Sequence, residues 1–306
     1  MMKHSFLRGF IQGGIIILLT WVVSACINVA QDCKRVEKPH LVSYLPPELN
    51  ETSGLQWVDS LLWTHNDKGN TTVLFSLCPV SGDLVSSIPV ITPEEKQDWE
   101  CLAACSSFLY IGNTGNNKAK RKWLSVYRIP LTDLLLHNKT NPMIIHPDQI
   151  IRFELPSFLF SETKKHNADI EAMVYDDSLL VFFTKNRANH KTYILSIPAQ
   201  PGNHIPVLHD SLNPGVRITG ADLNDSHCIW VGYNKKGNVQ FGYSSQWGGS
   251  HYASLPWMQC KLGSFAEIGQ VEGVAWAPDG SWYFTREQGK HAAAALYRMK
   301  PFKENK

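Results

Sequence analysis

The sequence predicts an all-β chain, a five-bladed β-propeller closed by an N-terminal strand that completes the last blade. Three observations carry that expectation. The stretch EGVAWAPDGSWYFTRE (272–287) reads as two short β-runs, Gly273–Trp276 and Trp282–Thr285, joined by Ala277-Pro278-Asp279-Gly280. Asp-Gly between apolar runs is a hairpin signal, because glycine supplies the positive φ that the turn needs. The same pattern occurs four more times. Its lead residues are Ser53, Glu100, Glu171, Thr219 and Glu272, spaced 47, 71, 48 and 53 residues apart. A period near 50 built from short strands signals radial repetition. Finally, His40–Leu45 is a lone strand at the start, and the last repeat ends after a third strand, Ala294–Met299. Joining the two closes the ring and leaves few unpaired edges.

In chain order, the first pattern runs from Ser53-Gly54-Leu55-Gln56-Trp57 through Leu61–Thr64 to His65-Asn66-Asp67. The second runs from Glu100-Cys101-Leu102-Ala103 through Phe108–Ile111 to Gly112–Asn117. The third runs from Glu171–Tyr175 through Leu179–Thr184 to Lys185-Asn186-Arg187, and the fourth from Thr219–Leu223 through Cys228–Val231 to Gly232-Tyr233-Asn234. Outer strands follow as Val73–Leu77 with Leu84–Ile88, Ser125–Ile129 with Gln149–Leu155, and Thr192–Ile197 with Val207–His209. Leu131–His146 absorbs the long interval, with a short helix over Leu131–Leu136. A sixth blade there would need its own lead motif, and none is present.

Residues 1–25 form a basic, then apolar segment: Lys3 and Arg8, then a run ending Ile15–Val23. The apolar run is about 15 residues, the length of a signal-peptide core, and shorter than the roughly 20 needed to span a bilayer. Val23-Ser24-Ala25-Cys26 resembles the bacterial lipoprotein cleavage box, which implies cleavage before Cys26 and acylation of that cysteine. Several acyl chains make such an anchor to the lipid membrane stable. Residues 26–39 are then a tether, 40–306 the propeller, and the location a bacterial cell envelope. Ile27 and Asn28 do not resemble an inner-membrane retention signal, so the outer membrane is expected, facing periplasm or surface.

Removing Lys3 and Arg8 takes 29 basic residues to 27, equal to the 27 acidic ones. Without a basic stripe interleaved with aromatics, nucleic acid is not an expected partner. The one basic run, Lys118–Lys122, follows a Gly/Asn-rich loop and reads as a solvated loop. Six cysteines follow Cys26: Cys33, Cys78, Cys101, Cys105, Cys228 and Cys260. Export permits disulfides, yet Cys101 and Cys105 on one extended strand lie about 13 Å apart, too far to bridge. A Cys228–Cys260 pair stays open. No C-x-x-C occurs, and no nucleophile elbow, Walker A loop or H-E-x-x-H is found.

If the lead residues open the innermost strands, three carboxylates and two hydroxyls converge at one mouth of a central channel. Carboxylates so close raise one another's pKa unless a cation lies among them. An oxygen-only set of this kind suits Ca²⁺. The plainer alternative is that the glutamates are solvated in the tunnel or bridged to Arg187 and Arg286. The order Ser53, Glu100, Glu171, Thr219, Glu272 resembles the five-bladed calcium-dependent apyrases, the soluble calcium-activated nucleotidases, in which a Ser/Glu/Glu/Ser/Glu ring holds a central Ca²⁺. Ser53-Gly54-Leu55, Glu100-Cys101-Leu102-Ala103 and Glu272-Gly273-Val274 carry the likeness. His65-Asn66-Asp67-Lys68-Gly69 is similar to that family's Asp-Asp-Arg-Thr-Gly turn, with Asn66 and Lys68 as departures. Glu272–Thr285 also resembles the gluconolactonase- and paraoxonase-like propellers, where an opening Glu binds calcium.

Two functional expectations follow. One is a calcium-binding propeller recognising an anionic small molecule or an envelope protein or glycan. The other is a calcium-dependent hydrolase of phosphate (nucleotide) or lactone esters, in which Ca²⁺ polarises the substrate oxygen, Asp67 or His65 is the general base, and Arg187 and Arg286 hold the anion. Convergence of Asp67, Arg187 and Arg286 within reach of a water on the ion would favour the enzyme; their pairing off with one another would favour the binding module.

Overall fold

Strands buried on both faces read as continuous apolar runs, and strands at a sheet's outer edge alternate. Both kinds occur in each repeat. Leu179–Thr184 (LLVFFT) is buried almost throughout, whereas in Leu84–Ile91 exposed and buried positions alternate from Val85 onward. In the computed structural model these repeats form five antiparallel sheets around one axis. Described are residues 31–32, 37–67, 72–137, 141–160, 165–248, 252–290 and 292–302. Residues 1–25, expected as a signal peptide, Cys26, Cys33 and Lys68-Gly69 of the expected turn lie outside them. Among the described residues no helix is long and apolar enough to cross a membrane.

The innermost strands of blades 1 to 5 are Thr52–Val58, Cys101–Ala104, Ile170–Asp176, Arg217–Asn224 and Val271–Trp276, and each packs against the next around the ring. Blade 5 is completed by His40–Tyr44, antiparallel to Ala295–Met299, so the chain's early strand closes the ring as the sequence predicts. Leu45 N–H extends the pairing to Ala294 O at 2.8 Å. The turn at 277–280 also forms, with Gly280 at φ +77°. The short helix over Leu131–Leu136 is present.

Three blades carry a fifth strand that their own repeat does not supply. Met143–Ile144, from the long connection in blade 2, pairs in parallel with Leu84–Ile91 of blade 1. Gly202–His204, from blade 3, pairs in parallel with Ile150–Glu154 of blade 2. Gln31–Asp32, within the stretch expected as a tether, pairs in parallel with Met258–Ser264 of blade 4. Strands of two or three residues are too short to show a period, which is why the sequence does not announce them. Cys78, Cys101, Cys105 and Cys228 are free thiols. Cys260 is disulfide-bonded, so a Cys228–Cys260 bridge is absent.

The core is a set of inter-blade seams. Phe153 and Phe182 stack at 4.8 Å between blades 2 and 3, and Phe241 meets Trp282 at 5.0 Å between blades 4 and 5. Each such ring, fully buried, contributes roughly 2–3 kcal/mol. Trp63, Trp230 and Trp282 are likewise buried in seams.

Nearest the axis the strands approach too closely for ordinary side chains. The residue after each lead is Gly54, Cys101, Ala172, Gly220 or Gly273. A Cβ at Gly220 would lie 2.5 Å from Glu272 O, and one at Gly273 2.6 Å from Leu55 Cβ. Gly220→Ala is therefore expected to cost about 1–3 kcal/mol by overpacking. Gly289→Ala, where nothing lies within 4 Å, is expected to be nearly neutral. Urea unfolding of the two variants checks this; equal midpoints would contradict the tight axis.

Candidate functional site

The site begins with a backbone irregularity. Ser53, Glu171, Thr219 and Glu272 each sit where the ladder between the first and second strand slips register: between Thr52 and Leu55, Ile170 and Ala172, Ile218 and Gly220, and Val271 and Val274. A bulge of this kind leaves a residue unpaired and re-aims its side chain. Glu100 stands just ahead of its strand, its N–H bonded to Gly112 O at 3.0 Å. All five lead residues are buried. The two hydroxyls tie neighbouring blades together: Ser53 Oγ donates to Glu100 O at 3.0 Å, and Thr219 Oγ1 to Val271 O at 2.7 Å.

The carboxylates are drawn together more tightly than the lead pattern alone implies. Glu100, Glu171 and Asp169 bring oxygens within 4.8 Å of one another, all three buried. Asp169, which the lead pattern does not include, lies two residues before Glu171 on the same chain segment. It accepts Asn116 N–H at 2.7 Å and the Arg187 guanidinium at 2.6 and 2.9 Å. Glu171 is bonded to the ammonium of Lys185, itself buried, and lies 3.5 Å from Arg187. Glu272 accepts from Gln270 Nε2 at 2.6 Å. Glu100 Oε1, by contrast, is buried with no hydrogen-bond partner. A Cβ at Gly115 would lie 2.5 Å from that oxygen and 2.3 Å from the Asp98 carboxyl carbon, so glycine keeps this recess open.

Four buried carboxylates (Glu100, Asp169, Glu171, Glu272) thus face two cations, Lys185 and Arg187. Burial, then the charges of Glu171 and Asp169, push Glu100 well above the usual carboxylate range. Burial likewise raises Glu272, against the pull of Lys185. Burial moves Glu171 up to about 7, with Lys185 and Arg187 working the other way. Burial also opposes the charge on Lys185, but Glu171 outweighs it and the ammonium is held more firmly than usual. Lys185 thus holds its proton firmly against Glu171, whereas Glu100 and Glu272 make no ion pair among the described residues. A hard cation with oxygen ligands fits this donor set. Glu100, Asp169 and Glu171 would hold it, with Glu272 near at hand, and it would supply Lewis acidity and charge neutralisation.

The residues expected to handle substrate do not gather. His65 is fully enclosed, edge-on to Trp99 at 5.6 Å, and burial lowers its pKa to about 4. Arg187 is bound to Asp169. Arg286 donates to Ala293 O at 2.9 Å and Ile268 O at 3.2 Å, and its guanidinium lies 5.6 Å from the Tyr297 ring centre. Asp67 stands in a separate, half-buried acidic group with Glu51 and Glu287. Further along the axis, Gln56 Nε2 of blade 1 reaches Asp222 Oδ1 of blade 4 at 3.4 Å. Burial raises Asp222 to about 7, although Trp276 N–H and Leu223 N–H bond its oxygens at 2.7 and 2.8 Å. Neither Gln56 nor Asp222 is a lead residue. Each lies three positions beyond one, on the same inner strand.

No protein-family model matches the chain, and comparison with curated proteins finds no match. Solved structures do resemble it. The PQQ-bound aldose sugar dehydrogenase of Streptomyces coelicolor is 10% identical, with 86% of this chain and 98% of that one covered and a TM-score of 0.49. Glutaminyl cyclase of Myxococcus xanthus is 12% identical, over 86% and 95%, at 0.49. Exo-β-1,3-galactanase of Phanerochaete chrysosporium, solved with β-1,3-galactotriose, is 9% identical, over 85% and 63%, at 0.51. At such identities the likeness is one of fold.

A carboxyl whose folded pKa exceeds its unfolded value binds its proton more tightly in the native state, so stability falls as pH rises between the two values. For Asp222 that window is 3.8 to about 7, and Glu100 and Glu272 shift in the same direction. Without divalent cations the protein is expected to lose stability from pH 4.5 to 8, by roughly 3–4 kcal/mol from Asp222 alone. Urea midpoints across that range test this; a rise with pH would refute it.

Proposed function

We propose that the chain is a cation-holding β-propeller of a bacterial cell envelope, anchored through acylated Cys26, with Ca²⁺ at Glu100, Asp169 and Glu171. Its role is to bind a partner, not to turn one over. One observation carries the reading: Glu100 Oε1 is buried and unpartnered beside two further carboxylates. A buried charge without a partner is costly, and a divalent ion removes that cost where two side-chain cations leave four carboxylates unbalanced. Oxygen donors of this number suit Ca²⁺ better than softer metals. The resemblance to calcium-dependent propellers in the lead pattern supports the same ion.

Asp67, Arg187 and Arg286 neither converge nor pair with one another, and the engagement of both arginines elsewhere supports binding over catalysis. Arg187 and Arg286 are engaged by Asp169 and by main-chain carbonyls, and His65, held neutral and enclosed, is a poor base for an external substrate. An anionic small molecule, or an acidic group of an envelope protein or glycan, would then be recognised through the ion itself. A second reading, the calcium-dependent hydrolase of phosphate or lactone esters, draws on Asp67, which stands with Glu51 and Glu287. Calcium-dependent turnover of nucleotides or lactones that is lost in Asp67→Asn would establish it.

The ion itself is tested by thermal melting. For a Kd of about 10 μM, 1 mM Ca²⁺ adds about 2.7 kcal/mol, which for a chain of this size raises Tm by about 5–10 °C at pH 7.5. Glu100→Gln is expected to abolish that rise, and to melt higher than wild type when Ca²⁺ is chelated. No calcium response in wild type, or an equal one in the variant, would remove the proposal.

A further inference from the structure

Away from the channel, a groove of about 660 Å³ runs along the flank where blades 2 and 3 meet. Its floor and one wall are apolar: Leu155, Pro156, Phe158 and Phe160 follow the outer strand of blade 2, and Ile205 and Leu208 come from blade 3. These are not casual exposures. Ile205 is 83% exposed, while Phe158 and Leu208 are each nearly half exposed. The folded backbone keeps them so, because Gly202–His204 is pinned to blade 2 before the chain turns back at Pro206 into Val207–Leu212. Large apolar side chains gathered in one concavity mark a binding surface.

The rim is basic. Lys120 and Lys122 line the groove beside Glu154. Lys122 pairs with Glu154 at 2.5 Å, and Lys118 and Lys120 make no ion pair among the described residues. In the groove lining one carboxylate therefore stands with two ammonium groups and pairs with one of them. Arg121, between them in sequence, points the other way and donates to Asn113 O at 3.0 Å and Gly115 O at 2.9 Å. That anchors the loop while leaving the lysines outward. Lys120 and Lys122 thus form a positively charged edge on an apolar trough.

We propose that this groove binds a single-chain anionic amphiphile, its hydrocarbon along Leu155, Phe158 and Ile205 and its phosphate or carboxylate head at Lys120 and Lys122. One chain is favoured over a flat bilayer surface because the apolar side chains come from two blades, Leu155, Phe158 and Phe160 from one and Ile205 and Leu208 from the other, with a concavity between them. Lysines are suited to the head because their stems cover apolar surface while the ammonium meets the anion. The site is independent of the channel ion and of the function proposed for it.

The test is photolabelling of the full chain, kept in phosphatidylcholine nanodiscs, with a diazirine-bearing dodecyl phosphate, mapped by mass spectrometry. Labels are expected on Phe158–Phe160 and Ile205–Leu208, and laurate should compete. The double variant Lys120→Glu, Lys122→Glu and, separately, Ile205→Glu should each cut labelling at least fivefold with unchanged melting. A neutral probe, dodecyl maltoside carrying the same diazirine, should label weakly. Labelling spread over the surface, or unaffected by either variant, would overturn the proposal. So would labelling that appears only with anionic-lipid nanodiscs, which would assign the lysines to a membrane surface.

Discussion

Closing five sheets around one axis forces their first strands closer than most side chains permit, and the rest of the site follows from that crowding. Only small residues fit immediately after the lead positions, where Gly220 and Gly273 abut neighbouring main chain. Side chains that cannot fit between strands must leave along the channel, and bulges at four of the five positions turn them that way. Water is largely excluded from the same space. The result is a cluster of acids held together by backbone geometry against their own repulsion. Charge is the consequence of closure here, and a cation is the simplest relief.

Lys185 shows how far the protein supplies that relief itself. Its ammonium lies at Glu171, and Arg187 holds Asp169. Each pair is well made, because a buried charge without a partner would cost several kcal/mol. The arrangement stops short of neutrality at Glu100. The contrast with Glu94 is instructive. That carboxylate bonds Tyr127 and Asn113 at 2.8 and 3.1 Å, also accepts from Ser125, and pairs with Arg152 at 3.1 Å. Its pKa is lowered. Where this fold needs a carboxylate only as a strut, every oxygen is used.

Much of this was legible in the sequence. The five lead residues, their spacing, the Asp-Gly turn and the closing strand are local patterns, and local patterns survive in a string of letters. Strand ends were less so: the outer strand expected at Leu84–Ile88 runs to Ile91, and the one at Val207–His209 runs to Leu212. Asp169 and the Gln56–Asp222 contact were not legible, because their importance lies in distances between blades. His65, Arg187 and Arg286 share a sequence context, the end of a second strand, that predicts a common mouth. Side-chain direction then separates them: one enters a seam, one meets an acid, one turns to carbonyls.

The borrowed fifth strands have a consequence for how such a wheel changes over time. A propeller made of self-contained blades can gain or lose one by duplication, since each new unit brings its own edges. Here blade 1 wears a strand from blade 2, blade 2 one from blade 3, and blade 4 one from the chain's start. Cutting out blade 2 or blade 3 would strip its neighbour's rim and expose a sheet edge. Lacing of this kind fixes the count at five more firmly than the seams do, and makes the ring a single inherited object instead of a sum of repeats.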